Sequence, residues 1–518
     1  MKFIYDDTSA PFATGQESCV PPDGYFKMDS FNIVVFGGAG DYSRRMLMPS
    51  LFHLFHDGAF SGDFLIIGFG LPALTDDEYR SLVKDALLKF APASLTEEKW
   101  TEFGKHLSYI SSSFDDEGNF EMLLRRLETQ CIANRQNRKE VLFYFAVPPP
   151  YYPVIVRNIR KYHLCREGIE PKIVIEKPFG SDRASAIALN GMLAEVFSEN
   201  QIYRVDHYLG KETVQNITFF RFANSIFEPL WNRRYIDYVE ITVAEQLGVE
   251  HRGAFYEKAG VVRDIIQNHM MQLIALVAME PPVGFDADLI RDEKVKVFKT
   301  IRLTDEEYIG NFMVRGQYGP GTVNGTAVKG YREEYGVEPD SDTPTFFAGT
   351  FLIDNWRWSG VPFYVRTGKR LAERCTEIAV HFKQPPLSLF GKTCDILAPN
   401  TLRLRIQPRE ELSLGLSVKY PGIGNTPYNV EMVFNYADTF KIERHSSHER
   451  LILDCLRGDL ALFARQDGIE AMWRIVDPII AQWDATPPRF FPNYEAGSWG
   501  PPGSDDLMTR DGRSWSSM

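Results

Sequence analysis

The stretch Phe31-Asn32-Ile33-Val34-Val35-Phe36-Gly37-Gly38-Ala39-Gly40-Asp41-Tyr42-Ser43-Arg44-Arg45 decides the fold. Its first six residues form a nearly continuous apolar run, as a strand covered on both faces requires. Glycines then break the run, and a helix-compatible segment follows. Glycine admits positive φ and lets an anion approach the backbone, where unpaired N–H groups and the helix dipole stabilise it. A turn of this kind after the first strand of a parallel sheet is where a dinucleotide pyrophosphate is held, here on Gly37, Gly38, Ala39, Gly40 and Asp41. Ser43 replaces the last glycine of the G-x-G-x-x-G spacing, so the turn by itself also fits a tight βα connection that binds nothing.

Outward from this turn, short β-rich runs alternate with helical stretches. Strands are expected over 31–36, 64–68, 107–110, 141–147, 173–175 and 202–205, with helices over 44–56, 76–90, 121–132, 154–162 and 183–197 between them. That alternation predicts an α/β protein whose residues 31–206 form a Rossmann-like doubly wound parallel sheet that binds a dinucleotide. Beyond residue 207 the rhythm changes. Strands over 216–222, 238–245, 363–366, 378–382, 401–406 and 412–419, with helices over 262–279, 449–457 and 468–482, predict a larger α+β domain with a mostly antiparallel sheet over 207–518. Residues 1–30, polar and proline-bearing, read as an N-terminal extension, and 495–518 as an irregular tail.

Composition bounds the function. The 518 residues are 44% hydrophobic and 24% charged, an ordinary globular balance. A net charge of -12 repels polyanions, which argues against nucleic acid or anionic membrane as partners, so any phosphate must meet a local basic site. The six cysteines lie far apart with no zinc-like spacing, and no metal site is expected. They read as reduced thiols of a cytoplasmic protein, and neither a signal peptide nor a membrane span is expected.

Four further segments carry chemistry. Glu176-Lys177-Pro178-Phe179-Gly180 ends the fifth strand at the carboxyl edge, where open α/β sheets place ligands. A residue before proline is biased away from the helical region, so Lys177 projects from the βα loop as a contact for substrate or nicotinamide, although such a sequence also suits a plain turn. Asp206-His207-Tyr208-Leu209-Gly210-Lys211 leaves the sixth strand. If a helical turn begins there, His207, Tyr208 and Lys211 converge on one side as a site for a phosphate dianion, and Asp206 serves either as an N-cap or as the partner of a catalytic histidine. His269 falls on the apolar stripe of the helix over 262–279, a place that suits a hydrogen-bonded core histidine as well as a base. Asp264 and His269 are five apart, about 140° round an ideal α-helix, so they flank one ligand only across the helix end. For the coenzyme ribose, the second strand runs into Gly68-Phe69-Gly70-Leu71-Pro72, which offers neither acid nor base. Arg44 and Arg45 are the nearest cations for a 2′-phosphate, which leaves NAD and NADP both open.

In this order, and together with Gln267-Asn268-His269 and Val361-Pro362-Phe363-Tyr364-Val365-Arg366-Thr367-Gly368-Lys369-Arg370, these motifs resemble the glucose-6-phosphate dehydrogenase family. The resemblance implies oxidation of β-D-glucose 6-phosphate at C1 to 6-phospho-D-glucono-1,5-lactone, the first step of the oxidative pentose phosphate pathway, with hydride transfer to NADP or NAD. It implies His269 as general base with Asp206 orienting it. His207, Tyr208 and Lys211 would hold the phosphate with Lys369 assisting, while Lys177, Glu245 and Asp264 hydrogen-bond the sugar. A homodimer or homotetramer built on the second domain is likewise implied. Two positions depart from the family pattern. Met46 stands where many members carry lysine, and Leu71 where they carry the arginine that holds the NADP 2′-phosphate, so a weakened NADP preference with Arg44 or Arg45 compensating is expected. The alternatives are another Rossmann-type NAD-dependent sugar oxidoreductase, which needs no phosphate grip, and a catalytically dead cofactor-binding sensor.

Overall fold

A computed structural model of the chain describes residues 27–28, 30–60, 62–133, 139–165, 169–387, 389–390, 397–440 and 446–516. Most of the expected N-terminal extension, and Cys19 and Cys394, lie outside the described residues. Six strands, β1 (Phe31–Phe36), β2 (Phe64–Gly70), β3 (Leu107–Ser111), β4 (Lys139–Phe145), β5 (Ile169–Glu176) and β6 (Ile202–Val205), pair in parallel in the order β3-β2-β1-β4-β5-β6. All six residues of β1 are buried, which is why five of them are apolar and do not alternate, while the buried Asn32 side chain bonds the backbone of Ile132 and Glu140. The strand order reverses between β1 and β4, and the crevice outside the carboxyl ends of the strands opens there.

The segment after β1 begins as a π-wound turn (Ser43–Leu47) and becomes an α-helix at Met48–His56. Between β2 and β3 the chain forms two helices, Asp76–Phe90, which starts on a Thr75/Glu78 capping box, and the unanticipated Glu97–Gly104.

The second sheet has eight strands. From one edge it runs Pro427–Asn435, Glu411–Lys419, Thr401–Gln407, Cys375–Phe382, β7 (Ile236–Ala244), Pro362–Gly368, Phe346–Leu352 and Met313–Gly316. Every pairing is antiparallel except that of β7 with Pro362–Gly368. Two expectations are corrected here. The strand expected over 216–222 is the second half of helix Glu212–Phe222. Its β-branched and aromatic residues favour a strand locally, but Val214, Ile217, Phe220 and Arg221 are buried on more than one side, and the Arg221 guanidinium donates to the carbonyls of Leu276 and Met279, so packing overrides propensity. The tail is not irregular either. Gly503–Thr509 is helical, Arg513 pairs with Asp237 at 2.9 Å, and the Arg366 guanidinium lies over the rings of both Trp499 and Trp515. Among the described residues no helix is long and apolar enough to cross a membrane.

Candidate active site

The residues singled out by sequence meet where the carboxyl ends of β5 and β6 face the segment Val262–Met270. That segment is π-wound and runs into helix Met271–Ala278. The strand β6 delivers Asp206, and the chain then makes two successive turns, closed by Leu209 N–H to the Asp206 carbonyl at 3.0 Å and Lys211 N–H to the Tyr208 carbonyl at 3.1 Å. Helix only begins at Glu212, so the helical turn expected to gather His207 and Lys211 is absent. The turns do gather Tyr208 and Lys211, whose ammonium lies 4.4 Å from the phenol ring centroid.

Asp206 caps no helix, because the next helix begins at Glu212 with Lys211 at its N-cap, but it closes the turn and pairs with the histidine. Its Oδ1 accepts the Tyr208 N–H at 3.0 Å and lies 2.5 Å from His269 Nδ1. Both side chains are buried, Asp206 at 3% exposure and His269 at 1%, yet the imidazole is not sealed in hydrocarbon. Its Nε2 accepts from Lys177 Nζ at 2.9 Å, its ring stacks on Tyr208 at 4.3 Å, and the His207 ring meets it edge-on at 4.5 Å. Burial pushes the His269 imidazole below its ordinary value, Asp206 partly restores it, and Lys177 adds to the fall. Burial alone would raise the Asp206 carboxyl, but the imidazoles of His269 and His207 and the Tyr208 N–H outweigh it and hold the group well below the carboxylate range. The pair therefore rests as a carboxylate and a neutral imidazole, with Nδ1–H donated to Asp206 and the lone pair on Nε2 facing the crevice.

Lys177 ties this pair to a second one. Its Nζ donates to the Asp264 carbonyl at 3.0 Å and to Asp264 Oδ1 at 3.2 Å. The ammonium of Lys369 donates to Glu245 Oε2 at 2.6 Å and lies 3.7 Å from Asp264 Oδ2. Lys211 donates to Gln407 Oε1 at 2.7 Å, and Gln407 Nε2 donates to Thr376 Oγ1 at 2.8 Å, 3.4 Å from the Tyr208 hydroxyl. Burial, with Arg374 adding to it, brings the Lys211 ammonium down to about 8. Thr376, Arg374 and Gln407 arrive from the second sheet, and no sequence signal marked them. His448 was missed too. It enters from helix Ser447–Arg457, its ring parallel to that of His207 at 6.2 Å.

Ligand atoms of Asp206, His207 and His269 lie within 4.8 Å of one another, close enough for a cation. Both His269 nitrogens are already engaged, Nδ1 by the Asp206 carboxylate and Nε2 by the Lys177 ammonium. The glycine turn fits a dinucleotide. A Cβ on Gly37, which has φ +86°, would stand 2.4 Å from the Ala146 carbonyl oxygen, and one on Gly38 2.6 Å from Gly68 Cα. Ser43 Oγ and Arg44 Nε are buried there without a hydrogen-bond partner among the described residues. Arg44 and Arg45 line a cavity of about 880 Å³ with Asp77, Glu78 and Lys89, and Leu71 at the end of β2 is 62% exposed.

Residues 34–216 match the model of the glucose-6-phosphate dehydrogenase NAD binding domain, and residues 218–516 that of the glucose-6-phosphate dehydrogenase C-terminal domain. The chain belongs to the glucose-6-phosphate dehydrogenase family. It is 43% identical over 494 residues to the glucose-6-phosphate 1-dehydrogenase of Chlamydia pneumoniae, spanning 93% of this chain and 95% of that one. To the enzyme of Bacillus subtilis it is 41% identical over 489 residues, 93% and 97% of the two chains. A solved glucose-6-phosphate dehydrogenase in complex with its substrate glucose-6-phosphate superposes with a TM-score of 0.85 at 32% identity, covering 95% of this chain and 99% of that one. The Mycobacterium avium glucose-6-phosphate 1-dehydrogenase superposes at 0.80 with 35% identity, covering 94% and 99%. In this chain the glycine turn follows β1 and the buried His269 lies on the π-wound segment Val262–Met270.

Proposed function

We propose that this chain oxidises C1 of β-D-glucose 6-phosphate to 6-phospho-D-glucono-1,5-lactone, as the general base His269 and its partner Asp206 would do it. The observation that carries the reading is the 2.5 Å contact of His269 Nδ1 with Asp206, which leaves Nε2 basic and facing the crevice. The nicotinamide dinucleotide, when bound on Gly37, Gly38, Ala39, Gly40 and Asp41, supplies the hydride acceptor. His269 Nε2 takes the C1 hydroxyl proton in the position that the Lys177 ammonium occupies, and Asp206 stabilises the imidazolium. Lys177, displaced by one hydrogen bond, keeps Asp264 as counter-charge and donates to the sugar. Asp264 and Glu245 accept from sugar hydroxyls, and His207, Tyr208, Lys211 and Lys369 hold the phosphate. We place the domain division after residue 206, with the proposed coenzyme turn before it and the proposed sugar-phosphate groups, Lys177 excepted, after it.

For the coenzyme, Leu71 cannot make a bidentate contact to a 2′-phosphate, while Arg44 and Arg45 share their cavity with the acids Asp77 and Glu78, which suit a ribose diol. We infer use of both NADP and NAD. A homodimer is supported by the outer strands Glu411–Lys419 and Pro427–Asn435, the second of which leaves Tyr428, Met432 and Val433 more than half exposed at one sheet edge. The activity is tested by following reduced coenzyme in assays crossing NAD and NADP with glucose and glucose 6-phosphate. Turnover of the phosphate ester far above the free sugar is expected. Equal rates would favour the unphosphorylated-sugar oxidoreductase, and no turnover with any hexose phosphate despite coenzyme binding would favour the sensor.

A further inference from the structure

Glu176, the last residue of β5, carries an arrangement that the proton transfer does not use. Its Oε1 accepts two phenols at once, Tyr42 OH at 2.5 Å and Tyr144 OH at 2.6 Å, and the phenol oxygens lie 3.1 Å apart. Tyr152 OH donates to the Glu176 backbone carbonyl at 3.2 Å. These groups come from three places in the coenzyme half: Tyr42 from the end of the glycine turn, Tyr144 from β4, and Tyr152 from helix Tyr152–Lys161. The other carboxylate oxygen, Oε2, has no hydrogen-bond partner among the described residues, and Glu176 is only half-buried. Phenylalanine would fill the same space as either tyrosine, so what the hydroxyls add is their contact with the carboxylate. They saturate one oxygen and fix the direction of the other.

That free oxygen sits one residue before Lys177, whose ammonium marks the place of the C1 hydroxyl beside His269. A ring that takes hydride from the same carbon must lie against this strand end. Nicotinamide carries one set of strong donors, the N–H groups of its primary amide, and a fixed carboxylate oxygen is their natural acceptor. We propose that Tyr42 and Tyr144 are positioning residues that hold Glu176 Oε2 as the acceptor for the coenzyme's carboxamide N–H. The inference rests on the nicotinamide-dependent reading given above. It also gives Tyr42 a second duty, since that residue directly follows the turn assigned to the pyrophosphate and so ties both ends of the coenzyme to one loop.

The test uses the full chain and a binding measurement that needs no turnover. Dissociation constants are measured by fluorescence for reduced NAD and for its reduced 3-acetylpyridine analogue, which has an acetyl group and no amide N–H, on wild type, Tyr42→Phe, Tyr144→Phe and Glu176→Gln. Losing one hydrogen bond to the carboxylate should weaken reduced NAD by about 5- to 30-fold in the tyrosine variants, with the analogue changed less than about twofold. Glu176→Gln should erase the wild-type preference for the amide. Unchanged binding of reduced NAD in both tyrosine variants, or equal losses for both ligands, would overturn the proposal. Tyr42→Phe keeps it testable should the buried Tyr144→Phe fail to fold, because Tyr42 is half-buried at the crevice edge. Wild-type turnover of glucose 6-phosphate is measured alongside, so that failure of the reading and failure of the clamp are told apart.

Discussion

Asp264 and His269 stand five residues apart, and one ammonium, Lys177 Nζ, reaches both, at 3.2 Å and 2.9 Å. On an α-helix these side chains would diverge. The segment Val262–Met270 is π-wound, with i to i+5 hydrogen bonding, so five residues make about one turn and the two groups stack on a single face. The wider winding thus places the proposed base and the carboxylate proposed to meet the sugar side by side. The kink that precedes it, Gly260 at φ +59°, lets the helix Gly253–Val261 arrive from another direction. Asp264 in turn lies between two lysines, and burial, which would raise its carboxyl, is outweighed by Lys177 and Lys369, which keep it ionised.

Replacing Asp206 by Asn separates orientation from charge. The amide can still accept from a ring N–H but cannot stabilise the imidazolium, so kcat is expected to fall by about 10²–10⁴ while KM for the sugar phosphate stays within a few fold. The sign of the pH effect follows from the same contacts. Burial lowers the His269 imidazole and Asp206 opposes that, so without the carboxylate the acid limb of kcat/KM should move to lower pH. An unchanged rate would remove Asp206 from the mechanism.

On the proposed reading, Lys211 sets the alkaline side of substrate binding. Its ammonium is brought down to about 8 by burial, and it must be charged to hold a phosphate dianion. Affinity for glucose 6-phosphate is therefore expected to be full below pH 8 and to fall as pH rises through that value, seen as a rising KM with kcat little changed. In Lys211→Met the KM should be raised at every pH and this alkaline dependence lost. A wild-type KM that is flat from pH 7 to 9 would contradict it.

Coenzyme choice should turn on Leu71. Leu71→Arg supplies a bidentate donor at the end of β2, and one or two charge-assisted hydrogen bonds correspond to about 10- to 150-fold in favour of NADP in kcat/KM. Arg44→Ala and Arg45→Ala, made in the native background, should each lower kcat/KM for NADP more than for NAD. A strong native NADP preference that survives both alanine substitutions would reject dual use.

Much of this was legible in the sequence because its signals are local. The run 31–36 and its glycines announced β1 and the turn, and the motifs at 176–180 and 206–211 sat at strand ends where the fold places ligands. What escaped was set by packing across long distances or by unusual winding. Residues 216–222 are strand-like in propensity and helical in fact. Gln407 and Thr376 reach Lys211 and Tyr208 from strands 196 and 168 residues downstream, and π-winding leaves no period in the sequence that distinguishes it from α.

Gly210 offers the last test, because it joins the turn that carries His207, Tyr208 and Lys211 to the helix that carries His448. A Cβ there would stand 2.5 Å from the Ser447 carbonyl oxygen and 3.0 Å from Leu451 Cγ, and the backbone atom cannot give way cheaply. Gly210→Ala must push the turn and the helix Ser447–Arg457 apart. It is expected to cost about 1–3 kcal/mol in denaturant unfolding and to raise KM for glucose 6-phosphate several-fold, with coenzyme affinity near native because the glycine turn on β1 lies outside the displaced pair. A variant with lowered stability and native KM would mean that the turn holds its shape without that helix, and that the phosphate site is built by residues 206–211 alone.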